Sequence, residues 1–238
     1  MNSQDNNHQP TGPKPRIAAI IGGIGLLVMA VLAANANFGI MQTLIVHGDA
    51  QTTSENIIAS SESFLFMIIS FLIVAILDIV VAWALFVILK SENRPLSLMA
   101  AWFRISYAVI FVISLTKLYR VLQLLTSVGS SQDNGVFSQA LNGINAFQTG
   151  WDIGLILFGI HLLLVGFISI RFGTIPKWLG ALLAIAGLGY LVDSIGILVS
   201  PAYGLSIGEY TFFGELILIF WLLWKGIKGF PQGKMPSN

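Results

Sequence analysis

From Ser63 to Leu89 the chain runs through one apolar stretch whose only charge is Asp78. Beyond the polar turn Lys90-Ser91-Glu92-Asn93-Arg94-Pro95, a second apolar stretch encloses Arg104. Each stretch exceeds the roughly 20 residues that a helix needs to cross the hydrocarbon of a bilayer. A charge carried into that medium needs a partner. In an antiparallel hairpin about the turn, residues whose numbers share a sum come level. Asp78 with Arg104 and Glu62 with Arg120 are level at the same register. The two pairs lie 16 residues apart, which is roughly 160° of helix rotation, so one straight seam does not hold both.

The rest of the sequence repeats the pattern. Apolar runs at about 17–46, 63–89, 96–125, 149–170, 177–199 and 211–224 predict an all-α, polytopic membrane protein of six transmembrane helices in one bundle over 17–228. Only 10% of the residues are charged, against about 25% in a soluble domain. Mean hydropathy is +0.83. A net charge of +1 gives no reason to expect a nucleic-acid partner, and the absence of cysteine excludes disulfides and thiolate chemistry. Residues 1–16, with Pro10, Pro13 and Pro15, read as a disordered tail, and 229–238 as a second tail. Ala34-Asn35-Ala36 resembles a signal-peptidase site. The apolar run before it is longer than a signal core and resumes after it, so the first helix is expected to be retained.

Basic residues sort by loop. The tails and the two short turns hold Lys14, Arg16, Lys90, Arg94, Arg171, Lys177, Lys225, Lys228 and Lys234. The polar segments His47–Ser61, Ser127–Gln148 and Ser200–Tyr210, read as loops, hold none. The positive-inside rule then predicts a cell-membrane protein with both termini cytoplasmic. Trp178, Trp221 and Trp224 fall near that cytoplasmic boundary, where interfacial aromatics belong.

Polar residues within the spans supply the candidate site. Asp78 and Arg104 are expected to form a structural ion pair. Asn35, Glu62, Lys117, Arg120, Asp152, Asp193 and Glu215 are expected to converge near the outer face as a hydrated ligand pocket. His161 lies nearer mid-membrane as a further candidate. Four acids face two bases in the outer set, so it calls for a bound proton, a bound cation or water. One intramembrane histidine is too few for a metal or haem site, and no nucleophile–base pair is readable. No catalytic residue, metal or cofactor is therefore expected. Gly180, Gly187, Gly189 and Gly196 suit close helix contact. The function classes left are a carrier of a small solute or cation, workable as a homodimer, a non-catalytic sensor or assembly factor, and a lipid-modifying enzyme.

Several blocks carry a resemblance. They are Trp151-Asp-Ile-Gly-Leu-Ile-Leu-Phe-Gly-Ile-His-Leu-Leu-Leu-Val-Gly166, Ile175-Pro-Lys-Trp-Leu-Gly180, Ala186-Gly-Leu-Gly-Tyr-Leu-Val-Asp-Ser194 and Gly214-Glu-Leu216, with Gly48-Asp-Ala50, Ser61-Glu62, Asp78-Ile-Val-Val-Ala-Trp-Ala84 and Ala101-Trp-Phe-Arg104 before them. Together they resemble the bacterial membrane-protein family called domain of unknown function 4386, over nearly all of Ile17 to Lys228. His47 stands where some members have proline. The resemblance implies six membrane helices and no established chemistry.

Overall fold

The computed structural model describes residues 14–128, 134–200 and 203–230. Among them the chain is helical, with no strand. Helix α1 (Pro15–Ala34) opens on proline, whose missing N–H costs nothing in a first turn. It passes through a π-helical segment, Asn35–Met41, into α2 (Gln42–Leu44). Then come α3 (Ala50–Ala59), α4 (Ser61–Leu89), α5 (Arg94–Val128), α6 (Asn134–Phe172), α7 (Lys177–Val199), α8 (Ile207–Thr211) and α9 (Phe213–Lys228). Among the described residues five helices are long and apolar enough to cross a membrane: Pro15–Leu44, Ser61–Leu89, Arg94–Ser127, Asn134–Phe172 and Lys177–Val199. Helix α9, where the sixth span was expected at 211–224, has 16 residues. The expected tails fall largely on residues 1–13 and 231–238, outside the described residues.

The long helices form a closed ring in which α1 packs on α4, α4 on α5, α5 on α6, α6 on α7, α7 on α9 and α9 on α1. Three contacts set its spacing. Between α4 and α5, Phe64, Phe71, Asp78 and Leu85 lie level with Leu118, Phe111, Arg104 and Ser97, and all eight are at most 2% exposed. That is a seven-residue repeat on both helices, the seam of a left-handed helix pair. Between α6 and α7 the seam is made of glycine. A methyl on Gly166 would stand 2.7 Å from the Gly180 carbonyl oxygen, and one on Gly187 would stand 2.6 Å from that of Gly159. Between α1 and α9, Gly22 and Gly23 admit Leu222 and Leu223, and Gly226 admits Ile20.

The chain ends meet at one end of the ring. Arg16 donates from Nε to the Gly226 carbonyl at 2.9 Å and from Nη2 to the Ile227 carbonyl at 3.1 Å, closing the C-terminus of α9 with a cation. The α4–α5 and α6–α7 turns lie at this end too, joined by the Thr174 hydroxyl donating to Glu92. Gly173, at φ +86°, ends α6 in a conformation other residues rarely adopt, and Pro176 precedes α7. Arg16, Lys90, Arg94, Arg171, Lys177, Lys225 and Lys228 make this the basic end.

At the opposite end the helices outrun a bilayer. With 35 residues in α5 and 39 in α6, they are about 52 and 58 Å long, against roughly 30 Å of hydrocarbon. Two segments read as loops are helical here. Asn134–Gln148 continues α6 and buries Phe137, Ala140, Ile144 and Phe147. The polar residues between them hide a helical period of three and four. Within His47–Ser61, α3 buries Thr53, Ser54 and Ile57 and packs on α6 and α5. Asp49 caps α3, accepting from the Thr52 N–H at 2.9 Å and the Thr52 hydroxyl at 2.7 Å; these bonds hold its carboxyl below the usual range.

Candidate functional site

Among the described residues no hydrogen bond or ion pair joins the residues expected to line an outer pocket to one another. Counted from the basic end of each helix, Asn35, Glu62, Lys117, Arg120 and Asp152 lie about 30–40 Å along, at or beyond the far edge of the hydrocarbon. Asn35, Glu62, Lys117 and Arg120 are exposed and Asp152 is half-buried. Among the described residues no ion pair joins Glu62 to Arg120. They lie 16 residues from the Asp78–Arg104 step, and the helix rotation over that distance carries them off the seam. Asp193, about 24 Å along α7, serves the neighbouring loop. Its two carboxylate oxygens accept from the Tyr203 hydroxyl and the Gly208 N–H, both at 2.6 Å. The first bond favours the neutral phenol and pushes Tyr203 up to about 12.

A different set does converge. Asp78, Arg104, His161, Tyr190 and Glu215 all lie about 15–20 Å from the basic end of their helices. They come from α4, α5, α6, α7 and α9, so five members of the ring each contribute one polar side chain to a single layer. Arg104 is its hub. Nη2 lies 2.7 Å from Asp78 Oδ1, and Nη1 lies 3.3 Å from His161 Nε2. The guanidinium carbon sits 5.1 Å above the Phe158 ring centroid. Guanidinium has no acceptor, so His161 Nε2 accepts; Nδ1–H then donates to the Ala100 carbonyl at 2.8 Å. The histidine is a neutral ring in a fixed tautomer, placed by the α5 backbone.

Glu215 extends the layer. It occupies the first turn of α9, on the face that buries Leu218, Ile219 and Leu222. Its Oε1 accepts from the Tyr190 hydroxyl at 3.0 Å. The charges of Arg104 and Asp78 both act on it, while no ion pair holds it among the described residues. Asp78, Arg104 and His161 are 1–2% exposed; Tyr190 and Glu215, on the α7–α9 side, are half-buried and are the least enclosed members of the layer.

On the far side of the layer the α4–α5–α6 interior is filled by rings. Phe71, Phe111, Phe147 and Trp151 stand mutually 5.3–6.2 Å apart. Tyr107 stacks on Phe111 and leans on Phe158, which meets Tyr190 edge-on at 5.5 Å. Apolar packing thus closes the layer toward the far end. Within the layer, Asp78 Oδ2 and Arg104 Nε are buried without a hydrogen-bond partner among the described residues. Buried polar groups are normally satisfied, so these two mark where a further polar atom fits.

Sequence reasoning assigned Asp78 and Arg104 to a clamp and His161 and Glu215 to a separate pocket. The structure places all four in one layer. It also adds Tyr190, Phe158 and Tyr107. Tyr190 stands in Gly-Tyr-Leu-Val-Asp-Ser, one of the blocks that carry the family resemblance. Its depth, matched to Arg104, was the signal that could have found it.

In comparison with known proteins, residues 21–226 match the family described as Domain of unknown function (DUF4386). The chain is also similar to an uncharacterized protein of Archaeoglobus fulgidus, 38% identical over 164 residues, covering 69% of this chain and 86% of the relative. No solved structure matches. With helices apolar enough to span a membrane and the family match over most of its length, the chain is a member of the DUF4386 family.

Proposed function

We propose that this is a six-span protein of the plasma membrane, with both termini cytoplasmic, which binds and moves a small polar solute or ion at the Arg104-centred layer. The sixth crossing is α9. Its C-terminal end lies beside the start of α1 through the Arg16 bonds, so an even number of crossings joins the two. The basic residues gathered at that end support a cytoplasmic side. One observation carries the functional reading: five helices of a closed ring each place a polar side chain at one depth, near the bilayer midplane. Polar groups in hydrocarbon are costly and tend to mark solute or ion paths. A two-helix clamp needs only Asp78 and Arg104.

Two experiments test the reading. Reporter fusions after residues 50 and 205 are expected outside, and fusions at 92 and 174 inside; an outside signal at 92 contradicts the topology. Purified protein in liposomes is then assayed for flux of a panel of monovalent cations, amino acids and sugars. Movement of at least one by wild type, reduced in Tyr190→Phe, supports the carrier. If nothing in the panel moves or shifts the melting temperature, the layer is a structural clamp.

A further inference from the structure

The layer holds two carboxylates and one permanent cation. Asp78 and Arg104 neutralise each other across 2.7 Å, and His161, whose Nε2 accepts from Arg104, adds no charge. Glu215 is left with a hydroxyl donor and no ion-pair partner among the described residues. The helices packed against α9 are α1 and α7. Helix α1 brings Arg16 alone, bonded at the basic end. Helix α7 brings Tyr190 toward Glu215, whereas its Asp193 is occupied by Tyr203 and Gly208. From across the ring, Arg104 and Asp78 act on Glu215 with opposite signs. An unmatched carboxylate facing the interior of a membrane bundle is strongly unfavourable until something positive joins it.

We propose that Glu215, one oxygen of which is already held by the Tyr190 hydroxyl, is a binding site for one unit of positive charge, taken as a proton or as a monovalent metal cation. This rests on the reading of the layer as a ligand site and names the ligand's charge. Tyr190 donates to one carboxylate oxygen, and Glu215 is half-buried where Asp78 and Arg104 are closed off. The arriving charge therefore meets Glu215 first. Its neighbour Phe158 already carries the Arg104 guanidinium on its face. Tyr107, His161 and Tyr190 pack around the same ring, which leaves it crowded for an organic ammonium, so a compact ion suits the site better than an alkylammonium.

The test uses the full chain in detergent and follows the thermal unfolding midpoint in two arms. In the first, sodium or potassium chloride replaces N-methylglucamine chloride at fixed pH. In the second, pH is varied in N-methylglucamine chloride alone. Wild type is expected to gain stability with rising metal cation in the first arm, or with falling pH in the second; the responding arm identifies the source of the charge. Glu215→Gln removes the unmatched charge, so it should start at the stabilised midpoint and lose both the gain with metal cation and the gain with falling pH. Tyr190→Phe keeps the carboxylate and removes its donor, so its response should move to lower cation concentration or higher pH. The proposal is overturned if wild type responds in neither arm, or if Glu215→Gln keeps the wild-type response. Where Glu215→Gln does not fold, an unshifted Tyr190→Phe response overturns it. A responding Glu215 with no flux in liposomes leaves the charge site standing and removes only the carrier.

Discussion

Arg104 Nη2 meets Asp78 Oδ1 at 2.7 Å on a seam that repeats every seven residues along both α4 and α5. The pair is thus the charged step of a coiled-coil contact that is otherwise apolar but for Ser97, and its register is set by the turn centred on Ser91. A charge in such a seam fixes which residues face each other, since a slip of seven residues leaves Arg104 against Phe71 or Leu85. Loss of one partner, by Asp78→Asn or Arg104→Gln, is expected to destabilise the protein by about 3–5 kcal/mol. The double mutant should recover part of that loss in detergent unfolding; additive losses would separate the two residues.

The glycine seam makes an independent prediction. On Gly187 a methyl group would meet backbone, the Gly159 carbonyl oxygen at 2.6 Å, which no side-chain rotation relieves. Gly187→Ala should therefore cost about 1–3 kcal/mol by overpacking. Gly204→Ala, where nothing lies within 4 Å, should change little. Equal melting temperatures for the two variants would mean that α6 and α7 are not in this close contact.

How much was legible in the sequence follows from these two seams. Level residues in a short-turned hairpin can be read directly from numbering, which is how Asp78 and Arg104 were paired. Depth is legible only where the start of a helix is, as at Lys177, where α7 begins as expected. Asn134–Gln148 is polar in composition, and its buried Phe137, Ala140, Ile144 and Phe147 were hidden among serine, asparagine and glutamine. Asp152 stands 18 residues inside α6, yet about 30 Å from its basic end, which is still the outer edge of the hydrocarbon. Glu62, Lys117 and Arg120 lie at that edge or beyond it and are exposed. Ring closure by α9 against α1 and α7 was beyond a reading of neighbouring spans, and with it went the meeting of Glu215 with the Arg104 layer.

Tyr203 gives the loop after α7 an alkaline limit. Its hydroxyl donates to Asp193 and is pushed up to about 12, from an ordinary value near 10. The folded phenol thus keeps its proton over a range in which the unfolded one loses it. The stabilisation is fully present below about pH 10 and is lost as pH rises toward 12. Tyr203→Phe should be less stable than wild type at neutral pH, with the gap closing over that window. A gap unchanged from pH 8 to 12 would show that the bond is not made.

The central claim is that Arg104 serves one layer that includes α9, and a double-mutant cycle between Arg104 and Glu215 tests it most directly. Arg104→Lys, Glu215→Gln and the double mutant are compared with wild type by equilibrium unfolding in detergent. Residues sharing one network couple by about 0.5–3 kcal/mol. The structure predicts coupling in that range, with Glu215→Gln more favourable in the Arg104→Lys background, where lysine stays with Asp78 and offers the Glu215 carboxylate less than the guanidinium does. Energies additive within about 0.5 kcal/mol would contradict the claim, leaving Asp78–Arg104 a two-helix clamp and Glu215 a separate residue on α9.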